Sequence, residues 1–232
     1  ASVVQPFFFA VTPEEAPDRL PRYFTFLLNV NLLLQLPIVA YAVVYHREIV
    51  GLIAGDKYVD SSWMLPLVTG FAALNVIAEP STLIAQHAER AAVILFSKIF
   101  AVYSIVAIIV LLPVAGIYGA ALASGSATFF KNLFIWWHVR GVARWINLPQ
   151  VITMTVVIWG GAVAAGLGLK AALDGPDLLQ LAIGAIVMGV ASLLYVRSPG
   201  LANSDRELLA TLFRGREAVW LARLGFLARA QA

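Results

Sequence analysis

The chain has 232 residues, of which 61% are hydrophobic and only 12% charged, with a formal net charge of +3 and a mean hydropathy of +0.85. That composition excludes an ordinary water-soluble domain, and so small a positive balance gives no reason to expect nucleic acid as a partner. The absence of cysteine excludes disulfides, thiolate metal sites and a cysteine nucleophile.

In chain order, Ala1 to Val11 is apolar but too short to span a bilayer, and it lacks the basic residues that open a signal peptide. It reads as the end of a cut helix, which makes the chain the carboxyl-terminal half of a longer protein whose amino-terminal half is its first expected partner. Thr12 to Arg22 holds three prolines and five charges and is expected as a non-helical cytoplasmic connection. Six apolar stretches follow: Tyr23 to Tyr45, Ser62 to Gln86, Ala91 to Leu112, Gly116 to His138, Gln150 to Lys170 and Leu178 to Val196. Each has the roughly 20 residues that a spanning helix needs. The expected fold is therefore an all-α polytopic membrane bundle.

With alternating spans, Arg19, Arg22, Arg90, Arg140, Arg144 and the tail arginines fall on one side, and Arg47, Lys57 and Lys170 on the other. The arginine-rich side is assigned to the cytoplasm. Beyond the last span, Ser204 and Glu207 form a capping box, and Leu208, Leu209, Leu212 and Phe213 recur at helical spacing among arginines. Val219, Trp220, Leu224 and Leu227 repeat the pattern, so the tail reads as a basic amphipathic stretch on the membrane surface, against a flexible basic tail as the plain alternative.

Chemistry must come from polar residues within the spans, because a charge at mid-bilayer costs about 2.5 to 3.5 kcal/mol on insertion scales. Glu79, Lys98 and Lys131 each lie some eight residues inside the same boundary, roughly 12 Å deep at about 1.5 Å per residue. They are candidates for one substrate-binding ring, with Lys98 and Lys131 meeting an anionic group and Glu79 neutralising or gating them. The plain alternative for the lysines is snorkelling to headgroups, and for Glu79 a structural partnership with a lysine. Asn31 and Gln35 share a helix face, as do Asn75 and Glu79, and such amides would contact sugar hydroxyls or bond between helices. Pro37 and Pro80 should kink their helices. Gly160, Gly161, Ala164, Ala165 and Gly168 offer a small-residue face for close helix packing.

Enzyme signatures are absent. His46, His87 and His138 have no metal-ligand spacing, and no Gly-rich phosphate loop is present, so no metal or other cofactor is expected. The acidic set Glu48, Asp56 and Asp60 in the first external loop is a solvated loop or, less simply, the carboxylates of a membrane glycosyltransferase.

Leu36-Pro37, the segment Gly51-Leu-Ile-Ala-Gly55-Asp-Lys-Tyr58, the later Gly116-Ile-Tyr-Gly119-Ala-Ala-Leu-Ala123 and the closing Asp205-Arg-Glu-Leu-Leu209 stand in an order that resembles one family. It is the carboxyl-terminal half of bacterial polysaccharide-export flippases, the lipid-linked oligosaccharide translocases related to MATE transporters and to the lipid II flippase. The resemblance covers nearly the whole chain and rests on motif order. It implies one lobe of a two-lobed MATE-like transporter plus two additional helices. Residues 1–22 would close a truncated helix and its connection, 23–138 form the four-helix part of the second lobe, 139–196 the added helices, and 197–232 the cytoplasmic tail. The implied function is flipping of an undecaprenyl-diphosphate-linked oligosaccharide across the inner (cytoplasmic) membrane by alternating access, with lipid-linked glycan and membrane lipids as partners and no covalent product. No invariant catalytic residue carries over from the family. A cation-coupled small-molecule exporter of the same fold, with Glu79 central, and an integral-membrane glycosyltransferase or ligase stay open as alternatives.

Overall fold

A computed structural model of the chain describes residues 10–12, 14–172 and 176–198. The expected cut helix at the amino terminus falls largely outside these residues. The capping box at Ser204, the amphipathic tail and the Asp205 to Leu209 motif lie outside them altogether.

The described residues are helical, without a strand: α1 Ala16–Ala54, α2 Met64–Leu74, α3 Ala78–His87, α4 Ala91–Phe96, α5 Ile99–Val139, α6 Leu148–Ala172 and α7 Asp177–Arg197. Short 3-10 turns occupy Asp56–Ser61 and Asn75–Ile77. Five helical runs are long and apolar enough to cross a membrane: Ala16–Ala54, Met64–His87, Ala91–Val139, Leu148–Ala172 and Asp177–Arg197.

The third of these runs is two of the expected spans folded back on each other. Gly116 has φ 57° and ψ −140°, a backbone state open to glycine and strained for other residues. Eight residues apart in a straight helix would be about 12 Å apart, yet a Cβ on Gly119 would stand 2.2 Å from the Leu111 carbonyl oxygen. Tyr103 and Phe130 meet edge to face at 6.1 Å, and Phe100 and Phe134 meet tilted at 5.9 Å. Residues 99–115 and 117–139 are thus the antiparallel arms of a hairpin. Pro113, lacking an N–H, helps end the first arm.

α1 is longer than expected at both ends. It begins at Ala16, so residues 16–22 are helical where a connection was expected; Pro17 falls in the first turn, where its missing N–H has no intrahelical duty, and Asp18 favours that end electrostatically. It runs on to Ala54, and Gly55 at φ 87° then breaks it. Pro37 leaves α1 with helical angles, and the break inside it lies at Tyr45, φ −115° and ψ 21°. The expectation for Pro80 fares better: immediately upstream the backbone tightens into the 3-10 turn Asn75–Ile77, where the proline removes the donor that the Val76 carbonyl would otherwise receive.

The chain forms two compact units, and the boundary crosses α1 between Asn31 and Leu32. The first unit contains residues 16–31 of α1, α2 to α5 and the loop up to Ile146. In it Phe71 of α2 fills the notch left by Gly125, whose missing Cβ would stand 2.2 Å from the ring. The second contains residues 32–62 with α6 and α7. Its core gathers Ala40, Val44, Tyr45, Trp159, Ala162, Leu181, Met188, Ala191 and Tyr195. The small residues that allow this packing are Gly166, against Val44, and Gly184, against Tyr45 and Tyr41. Among the described residues nothing packs on the face expected for packing: Gly160, Gly161, Ala164, Ala165 and Gly168 are exposed, and a Cβ on any of the three glycines would meet nothing within 4 Å.

Candidate functional site

A cleft of about 450 Å³ opens in the first unit between α3, the foot of α4 and the hairpin. It is lined by Ala78, Glu79, Thr82, Leu83, Gln86, Ile94, Ser97, Lys98, Lys131, Asn132 and Ile135. The three ionisable residues singled out by depth therefore share one wall system. Pro80 falls in the first turn of α3, and Glu79, Thr82 and Gln86 emerge on a common face of that helix. The hairpin supplies the lysines. In its antiparallel register Arg90 meets His138 and Tyr103 meets Ser126, so each step up one arm matches a step down the other, and Lys98 comes level with Lys131.

Lys98 is exposed, while Glu79 and Lys131 are half-buried. Among the described residues no ion pair engages either lysine. Two ammonium groups facing one cleft with a single carboxylate leave positive charge uncompensated, and the partly apolar walls of Leu83, Ile94 and Ile135 strengthen its effect on an incoming anion. The volume suits a phosphate or diphosphate group with part of an attached sugar.

Asn75 lies behind this wall. Its carbonyl oxygen accepts a hydrogen bond from Asn132 Nδ2 at 2.5 Å, tying the 3-10 turn to the second hairpin arm, and Asn132 itself is 2% exposed. Asn75 thus supports the cleft rather than lining it. Asn31 and Gln35 do not line the cleft; Asn31 falls in the first unit and Gln35 in the second. Thr82, Gln86, Ser97 and Asn132 line it without having been singled out in the sequence. The signal was present for two of them, since Thr82 and Gln86 follow Glu79 at three and seven residues. Ser97 and Asn132 are only neighbours of the lysines, and only the folded hairpin makes them lining residues.

The acidic set Glu48, Asp56 and Asp60 is divided. Glu48, within α1, pairs with Lys170 of α6 at 2.6 Å, and Lys170 also donates to the Val44 carbonyl at 3.1 Å beside the break at Tyr45. Asp56 and Asp60 stay exposed on the 3-10 turn. Among the described residues no three His, Asp or Glu side chains come together in a way that could hold a metal ion.

These features define a polytopic, all-helical membrane protein with a cationic cleft in one of its two units. No protein-family model, curated protein or solved structure matches the chain.

Proposed function

We propose that the protein takes part in moving a lipid-linked glycan across the cytoplasmic membrane, with the anionic diphosphate held between Lys98 and Lys131. The observation that carries this reading is the meeting of both lysines with Glu79 in one cleft of adequate volume between α3 and the hairpin. A glycan head cannot cross hydrocarbon unaided, because its hydroxyls and phosphates would lose their hydration. A polar cleft removes that barrier while the lipid tail stays in the bilayer. Thr82, Gln86 and Ser97 add hydroxyl and amide groups suited to sugar contacts.

The test is translocation of a labelled undecaprenyl-diphosphate glycan in proteoliposomes. Wild-type transport that fails in folded Lys98→Ala and Lys131→Ala variants supports the reading. Transport that both variants retain would leave the function and reject the site. No transport across a panel of such glycans would reject the function and favour a cation-coupled exporter, for which Glu79 in the same cleft is the natural coupling group. The transferase alternative has less support, since Glu48 is engaged by Lys170.

A further inference from the structure

Four arginines lie on the segments that meet where α5 finishes. Arg90, at the foot of α4, donates to the carbonyl of His138. Arg140 caps α5 and lies flat on Trp137, with its guanidinium carbon 3.6 Å from the ring centroid. The loop beyond is pinned to α1: Thr25 donates to the Arg144 carbonyl at 3.4 Å and accepts from the Ile146 N–H at 2.9 Å. Arg22 lies one turn before Thr25 on α1. All four arginines are exposed, and among the described residues none of them is in an ion pair; the nearby Arg19 is, with Glu15. Trp137 is 55% exposed beside them.

A helix carboxyl terminus alone would account for one or two cations near its carbonyls. It does not account for Arg90, which comes from a separate segment and is tied to the end of α5 through His138, nor for an exposed tryptophan used as a platform. Arg90 spends one of its five N–H donors on His138, and stacking on Trp137 leaves the edge of the Arg140 guanidinium available. Planar guanidinium groups match phosphate oxygens two at a time, and tryptophans concentrate at headgroup depth in membranes.

We propose that Arg90, Arg140 and Arg144, with Trp137, form a headgroup site for an anionic phospholipid at the membrane interface. It is distinct from the cleft, whose lining includes none of Arg90, Trp137, Arg140 and Arg144. The occupant is a lipid, because the arginines flank an exposed aromatic at the end of a spanning hairpin and because, among the described residues, no acidic side chain pairs with them. The site stands whether or not the glycan-transport reading does.

The test uses the purified, delipidated protein in a zwitterionic detergent. Native mass spectrometry follows its titration with phosphatidylglycerol and with phosphatidylcholine of the same acyl chains. Each cation near an anionic surface contributes roughly fivefold, so with partly solvated arginines we expect phosphatidylglycerol to be retained at least about tenfold better. Arg140→Gln/Arg144→Gln, which leaves the Arg90 contact to His138 intact, should lose most of that preference. Lys98→Gln/Lys131→Gln should keep it. Equal retention of the two lipids by the wild type, or a preference unchanged in the double arginine variant, would overturn the proposal. So would displacement of bound phosphatidylglycerol by millimolar inorganic pyrophosphate, which would mark a site for soluble phosphates instead.

Discussion

Lys98 and Lys131 face one cleft from the two sides of a single hairpin, brought level by a chain reversal at Gly116. Like charges so placed repel each other, and an anion relieves the repulsion. Replacing either by Gln should therefore leave the unliganded protein as stable as before, within about 0.5 kcal/mol. It should also abolish stabilisation by pyrophosphate, which at a hundred times its Kd would raise wild-type stability by about 2.7 kcal/mol. Thermal unfolding in detergent with and without pyrophosphate measures both effects.

Gly116 and Gly119 should respond to alanine for different reasons. Gly116→Ala meets no atom within 4 Å and suffers only from its positive φ in a sparsely populated backbone region, a cost of about 1–3 kcal/mol. Gly119→Ala drives a methyl group into the Leu111 carbonyl and must part the two arms. Its loss should be the larger of the two, and a spin-label distance between positions 103 and 126 should lengthen in Gly119→Ala alone.

In the second unit Gly184→Ala would place a carbon 2.3 Å from the ring of Tyr45, where overpacking costs about 1–3 kcal/mol. Gly160→Ala enters open space within α6 and should be neutral or stabilising by up to about 1 kcal/mol. Opposite signs for the two alanines in unfolding assays would show which small residues the packing uses. Equal losses would contradict the packing described.

Lys170→Met leaves Glu48, whose side chain is 11% exposed, without its cation. Breaking a buried pair from one side costs about 3–5 kcal/mol, with the lower end expected for a lysine still 26% exposed. Glu48→Gln/Lys170→Met should recover part of the loss. A double-mutant cycle without a coupling term would mean that the pair is ornamental.

Much of this architecture is legible in the residues. Apolar length alone separates the spans, and Gly116 marks the reversal between two of them because it stands between apolar runs with Pro113 just ahead. The shared depth of Glu79, Lys98 and Lys131 also follows from counting along helices. What counting cannot supply is lateral placement. Asn31 and Gln35 look as suitable as Asn75, but only Asn75 reaches the wall of the cleft, through Asn132. The face of Gly160 and Gly168 has the composition of a packing surface, whereas the contacts go to Gly166 and Gly184, where Val44 and the rings of Tyr41 and Tyr45 need room. Pro37 and Tyr45 teach a similar lesson, since a proline can be absorbed by a helix while a tyrosine beside a captured carbonyl marks the break.

The hairpin also bears on how the protein enters its membrane. Residues 99–130 contain no Asp, Glu, Lys or Arg, and both feet of the hairpin lie at one end. The pair of arms can therefore insert turn first, as one unit, with Gly116 leading through the hydrocarbon. Lys98 and Lys131 can then stay on the side from which the hairpin enters, since the arms between them carry no charged residue through the hydrocarbon.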